Sequence, residues 1–301
     1  MTRVFSAFLC AALVLALGEQ SSGQDIVVEK DVEYAKAGDT SLKLNIARPK
    51  SDDGPLPCIV WIHGGGWVGG NRESFNAAME VAARKGYVSA TISYRLTDAN
   101  PKKPATRNPY PAQIHDCKAA IRWLRANADK YHIDPARFGV SGGSAGGHLS
   151  LLVGLTDGDD GLEGDIPEMA PVPSTRVQAV VNIFGPTEML SQHKDGPIAR
   201  FMVEGLCGGT PDAVPEQYRL SSPLTFVTKD DPPILTFHGT ADDIVPVQQA
   251  KLLDEKCREV GAPHELRIFE GQKHGFDGEH TKTMTEETFR FFDNHLKKKA
   301  A

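Results

Sequence analysis

Gly142-x-Ser144-x-Gly146 interrupts the apolar run that begins at Phe138, and the run then resumes through Ala145, Leu149 and beyond with helical character. A serine at such a break can sit on a sharp strand-to-helix turn, strained in its backbone and with its Oγ exposed, as a nucleophile requires. A side chain at Gly142 or Gly146 would collide across so tight a turn. Alone, the pentapeptide also fits an ordinary glycine-serine loop. Nucleophilic chemistry needs a base, an acid and oxyanion donors from elsewhere in the chain.

Three further stretches have the right residue types. In His63-Gly64-Gly65-Gly66-Trp67 the three glycines let backbone N–H groups approach a developing oxyanion without a Cβ in the way. In His238-Gly239-Thr240-Ala241-Asp242-Asp243-Ile244-Val245-Pro246 a carboxylate could accept from an imidazole Nδ1–H, and Asp242 and Asp243 compete for that role. Asp243 also reads as a surface or helix-capping residue. In Gln272-Lys273-His274-Gly275-Phe276 the histidine can swing over the serine to take its proton. His148 belongs to the helix behind the serine, while His115, His132, His193, His264, His280 and His295 read as surface or helix residues.

Each stretch follows an expected strand. Alternation from Ile26 to Ala47, broken at Gly38-Asp39, predicts an antiparallel hairpin. Cys58 to Ile62 is continuously apolar, as in a strand buried on both faces. Strands are also expected at Tyr87–Ser93, Arg137–Ser141, Val177–Phe184, Pro233–Phe237 and Glu265–Phe269. Helices are expected near Glu73–Lys85, Ala112–Lys130, Ala145–Leu155, Val247–Val260 and Thr283–Lys298. Tyr94 to Pro111 is a proline-rich loop, 157–165 an acidic loop read as solvated, and Gly185–Ser222 an irregular, cap-like insertion. The alternation predicts an α/β fold: one doubly wound, mostly parallel sheet flanked by helices, with its chemistry at the carboxyl ends of the strands.

The chain has 301 residues, enough for one large α/β domain, and its net charge of −6 argues against a nucleic-acid partner. Met1-Thr2-Arg3 and the apolar run Val4–Leu17 resemble a signal peptide, with cleavage expected at Gly18/Glu19 or, second, Gly23/Gln24. The domain would then be 19–301, secreted or periplasmic, and no later segment is apolar enough for a stable membrane anchor. Cys58 and Cys117 read as buried free thiols, while a Cys207–Cys257 bridge stays open. No spacing resembles a zinc site, and the acidic loop lacks the calcium pattern. Oligomeric state is open.

With the order Ser144, Asp242, His274, the chain resembles the α/β-hydrolase superfamily over roughly Ile46–Leu296. Its H-G-G-G-W and G-x-S-A-G-G motifs are similar to those of hormone-sensitive-lipase-like esterases. Gly143 departs from them, standing where many such relatives carry an acidic residue. His238 to Pro246 looks more like secreted acetylxylan and feruloyl-type carbohydrate esterases, and like prolyl-oligopeptidase-type peptidases. In both groups the aspartate four residues before the proline is catalytic, which implies Asp242.

The resemblance further implies Ser144 as nucleophile, His274 as base, and an oxyanion hole from the N–H groups of Gly65, Gly66 and Ala145, with no metal or organic cofactor. The implied activity is serine carboxylesterase, on small-molecule esters or on acetyl or feruloyl esters of polysaccharide. Trp67, Tyr94, Tyr110, Phe184 and Phe276 are candidate pocket aromatics. A peptidase or amidase is the alternative reaction, and a binding protein on a non-catalytic hydrolase fold the alternative class.

Overall fold

A computed structural model of the chain describes residues 25–51, 54–98, 107–164 and 172–297. The expected signal peptide, part of the loop after Tyr94 and Asp165 lie outside the described residues. In chain order come β1 (Ile26–Ala37), β2 (Thr40–Pro49), β3 (Leu56–Ile62), α1 (Asn76–Arg84), β4 (Val88–Ile92), α2 (Ala112–Ala126), α3 (Ala128–Tyr131) and β5 (Ile133–Gly143). They are followed by α4 (Ala145–Leu155), β6 (Ala179–Ile183), α5 (Met189–Lys194), α6 (Pro197–Cys207), α7 (Pro215–Leu220), β7 (Ile234–Gly239), α8 (Gln248–Val260), β8 (His264–Phe269) and α9 (Gly278–Phe292).

The strands form one sheet in the order β1-β2-β4-β3-β5-β6-β7-β8. β1 and β2 pair as the expected hairpin and β2 runs antiparallel to β4, while every pair from β4 to β8 is parallel. Side chains alternate across each strand, and both faces are covered. Cys58, Val60 and Ile62 join a core that includes Ile114 and Ile121 of α2 and Leu149 and Leu152 of α4. Ile59 and Trp61 face the opposite layer, with Met79 of α1 and Phe289 and Phe292 of α9.

Register decides where chemistry can gather. Ile62 pairs with Gly142, Gly143 with Ile183, Ile183 with Phe237, and Gly239 with Phe269. Four carboxyl ends therefore finish level, and the segments leaving them, starting at His63, Ser144, Phe184 and Thr240, emerge along one edge of the sheet.

The differences from expectation have local causes. The last helix starts at Gly278, five residues early, because the Asp277 side chain accepts from His280 N–H and caps a polar, exposed first turn that apolar spacing does not reveal. A π-helical turn, Asp293–Lys297, continues it. The helix expected over Ala112–Lys130 is interrupted at Asn127, whose side chain donates to the Trp123 carbonyl, and α3 ends at His132 in the left-handed region.

The acidic loop is not solvated throughout. Glu163 turns inward and accepts from Lys118 Nζ at 2.5 Å and from Arg122 at 2.7 Å, both cations being almost fully buried. His264 is another correction. It lies in β8 with its side chain buried, Nδ1 3.0 Å from Asp254 and Nε2 2.9 Å from Thr236. Cys58, Cys117, Cys207 and Cys257 are all free and buried, so the bridge left open between Cys207 and Cys257 is not formed. The Cys207 Sγ instead lies 3.5 Å from Ser221 Oγ. Among the described residues no helix is long and apolar enough to cross a membrane.

Candidate active site

Ser144 is the hinge between β5 and α4, with φ 57° and ψ −123°. An ordinary side chain avoids that conformation, and here the surroundings impose it. Its N–H donates to the Ile183 carbonyl at 2.9 Å, and its own carbonyl accepts from His148 N–H at 3.0 Å. The flanking glycines are a matter of space. A Cβ on Gly146 would stand 2.0 Å from the Ile62 carbonyl oxygen, and one on Gly142 2.5 Å from the same oxygen. The turn thus forms only where β5 runs tight against the end of β3.

β3 in turn delivers the glycine run. A Cβ on Gly64 would lie 2.7 Å from the Gly143 carbonyl oxygen and 3.4 Å from Ser144 Cβ, so this backbone runs beside the Ser144 turn. Gly65 and Gly66 have φ values of 109° and 59°. Their N–H groups donate to no protein acceptor among the described residues. Ala145 opens α4, where N–H groups lack an intrahelical partner and the helix dipole favours negative charge.

His274, beyond β8, reaches back with Nε2 2.9 Å from Ser144 Oγ and Nδ1 2.8 Å from Asp242 Oδ2. The other Asp242 oxygen accepts from the Ile244 and Val245 N–H groups at 3.0 and 2.9 Å. Asp243 points to solvent, so of the two competing aspartates it is Asp242 that meets the imidazole. His238 is fully buried alongside, with Nε2 2.7 Å from the Val245 carbonyl and 3.5 Å from Asp242 Oδ2. Burial works to raise the Asp242 carboxyl. The hydrogen bonds from His238 and His274, the charge on His274 and the Val245 N–H outweigh it and hold the group well below the usual carboxylate range. A fixed carboxylate on Nδ1 keeps the proton there and leaves Nε2 free to accept one from Ser144.

The candidate aromatics separate into two sets. Phe184, at φ 42°, has its ring centroid 4.6 Å from that of His274, and half-buried Phe276 packs edge-on against Phe184 at 5.3 Å. Trp67, Tyr94 and Tyr110 are core residues whose polar atoms are bonded inside. Trp67 Nε1–H donates to His148 Nδ1, Tyr94 O–H to the His63 carbonyl and Tyr110 O–H to the Leu220 carbonyl. Sequence reasoning singled out neither Met202 nor a partner for His148. Met202 of α6 covers Gly66 so closely that a Cβ there would meet its Sδ at 2.6 Å. Long-range contacts of that kind leave no mark in local spacing. Among the described residues no group of three His, Cys, Asp or Glu side chains is gathered as a metal would require.

The BD-FAE family model matches residues 44–257, a stretch that holds Ser144, Asp242 and the glycine run. The chain belongs to the BD-FAE family. Esterase LipC of Mycobacterium tuberculosis is 36% identical over 227 residues, covering 74% of this chain and 54% of LipC. The chain spans about half the length of three curated relatives that it matches.

Two solved structures share the fold closely. A truncated carbohydrate esterase from gut microbiota superposes with a TM-score of 0.73 at 30% identity, covering 88% of this chain and 96% of that one. An acetyl ester-xyloside bifunctional hydrolase from Caldicellulosiruptor lactoaceticus gives 0.73 at 25% identity, over 88% and 95%. The BD-FAE match stops short of His274, so the part given to that residue rests on its hydrogen bonds to Ser144 and Asp242.

Proposed function

We propose that the protein is a serine carboxylesterase acting through an acyl-enzyme on Ser144. The observation that carries this reading is the unbroken chain from Ser144 Oγ through His274 to Asp242, set beside the Gly64–Gly66 backbone. His274 Nε2 takes the Ser144 proton as Oγ bonds to the ester carbonyl carbon. The carbonyl oxygen becomes an oxyanion facing the N–H groups of Gly65, Gly66 and Ala145. The carbon–oxygen bond to the alcohol then breaks, and the alcohol leaves with the proton from His274. Water repeats the sequence. It gives a proton to His274, attacks the acyl carbon and releases the acid as Ser144 regains its proton.

The substrate class is acetyl or feruloyl esters carried by polysaccharide. It is supported by the motif resemblance around His238 to Pro246 and by the carbohydrate-directed activities in the names of the two neighbouring structures. Phe184 and Phe276 form the aromatic wall nearest His274. The insertion 185–222 serves as a fixed cap rather than a swinging lid. Gln192 of α5 donates to the Ile244 carbonyl, Thr97 Oγ1 to the Gly205 carbonyl and Tyr110 N–H to the Leu206 carbonyl, which ties the insertion to the loops beside it at two places. The charged start and apolar run of the first residues support export, with cleavage after Gly18.

The test compares p-nitrophenyl acetate, a feruloyl ester and an aminoacyl p-nitroanilide, together with labelling by a fluorophosphonate. Ester turnover, with labelling lost in Ser144→Ala, is expected. Faster cleavage of the anilide would replace this reading with a peptidase or amidase. Absence of label on folded protein would replace it with a binding protein. Amino-terminal sequencing of the exported chain checks the cleavage site.

A further inference from the structure

Gly65, Gly66 and Trp67 are three consecutive residues with positive φ, and the last of them is no glycine: Trp67 stands at φ 61°. A bulky residue is disfavoured in the left-handed region and persists there only where its surroundings hold it. Two bonds do so. The Trp67 carbonyl accepts from Thr97 N–H at 2.9 Å, and its indole N–H donates to His148 Nδ1 at 3.2 Å, with the two rings edge to face at 5.1 Å.

His148 is fully buried in α4, and both its nitrogens are committed. An indole N–H can only donate, so Nδ1 accepts and the ring proton lies on Nε2, which donates to the Ser221 carbonyl at 2.7 Å. Burial lowers the imidazole to about 4, against the smaller opposing effect of the Ser221 bond, so the accepting tautomer persists at neutral pH. The backbone N–H of the same residue holds the Ser144 carbonyl. One residue, through its backbone N–H and both ring nitrogens, therefore links the nucleophile turn, the glycine loop and the far end of the insertion.

We propose that His148 is a positioning residue that, through its bond to Trp67, holds the Gly65–Gly66 backbone with both N–H groups turned toward the oxyanion. The proposal rests on the esterase reading above. His148 touches no reacting atom. Its effect passes through Trp67, and it appears only when charge develops on the carbonyl oxygen.

The experiment measures kcat and KM for an acetyl ester, and the affinity of an alkylboronic acid that binds the serine as a tetrahedral anion, in four proteins. These are wild type, His148→Leu, His148→Asn and Trp67→Phe, with melting temperature recorded for each. His148→Leu removes the acceptor and should lower kcat by on the order of 10²-fold, the typical effect of losing one oxyanion donor. KM should stay within about threefold, and boronate affinity should fall in parallel with kcat. His148→Asn keeps an acceptor near the Nδ1 position and should recover most of the loss. Trp67→Phe keeps an aromatic ring but removes the pyrrole ring that carries the N–H, so its kcat should fall as in the leucine variant, and it carries the test if the leucine variant does not fold.

Trp67→Phe with kcat within about threefold of wild type overturns the proposal. So does a change confined to KM, or an equal loss in the asparagine and leucine variants. Wild-type protein without ester turnover removes the esterase reading itself, and this inference with it. Turnover that survives all three substitutions removes this inference alone.

Discussion

Mild acid should destabilise this protein more than its carboxylates alone require, because the fold buries imidazoles uncharged, His63 and His148 foremost. His63 and His148 are lowered from 6.5 to about 4, chiefly by burial, with a hydrogen bond to the Gly64 or Ser221 carbonyl working weakly the other way. In the unfolded chain each binds a proton near its ordinary value. Between about pH 6.5 and pH 4 the unfolded state therefore carries the extra protons, and folding stability falls as pH falls. The slope is roughly 1.4 kcal/mol per pH unit for each imidazole, or about 3 kcal/mol each across the window. Two such groups remove a large share of the 5–15 kcal/mol typical of a folded domain.

Urea unfolding of wild type and His148→Asn at about pH 6 and pH 5 isolates one of the two. The variant's stability should depend on pH less steeply by roughly 1.4 kcal/mol per pH unit. Asp116, whose carboxyl is raised by burial against its bonds to Arg95, contributes with the opposite sign, but equally in both proteins. Parallel pH dependences in wild type and variant would refute the claim that His148 is held neutral by its burial.

Three other predictions concern separate parts of the molecule. Asp242→Asn should lower kcat by on the order of 10⁴-fold, because an amide favours the wrong imidazole tautomer; Asp243→Asn, at an exposed site, should leave kcat within about twofold. In Gly146→Ala the new Cβ meets the carbonyl oxygens of Ile62 and His63 at 2.0 and 2.7 Å, both of them backbone. The cost should reach about 3 kcal/mol, read as a fall in melting temperature of roughly 6–12 °C. Glu163→Ala leaves the buried Lys118 ammonium without the Glu163 carboxylate, so it should cost about 3–5 kcal/mol in chemical denaturation while the folded fraction keeps its kcat.

The parts legible in the sequence are those where chemistry constrains residue type at short range. Gly142, Ser144 and Gly146 announce the turn because no Cβ fits beside the Ile62 carbonyl. The continuous apolar run of β3 announces a strand covered on both faces. Local sequence does not separate Asp242 from Asp243, since both follow the same strand and differ in burial alone.

What stayed hidden is long in range or polar in character. Trp67 and His148 meet across 81 positions, and Glu163 reaches Lys118 across 45, so an acidic loop reads as solvated until its partners appear. Trp67, Tyr94 and Tyr110 look like pocket aromatics because of where they fall in the chain. Their hydrogen bonds give them to the interior instead.

The four cysteines among the described residues, all of them free, bear on how such a chain could be made. Burial is the main cause raising every one of these thiols, Cys207 and Cys257 to about 12, with Cys58 and Cys117 also well above the ordinary thiol range. The thiolate is the species that attacks a disulfide, so in the folded chain these four thiols react only slowly with disulfides. The hazard belongs to the route rather than the destination. If the chain crosses a membrane unfolded and emerges among oxidants, all four sulfurs are reactive until the sheet closes over them. Its yield then becomes a race between folding and mispairing, in which a slower-folding variant loses material while its surviving molecules remain fully active.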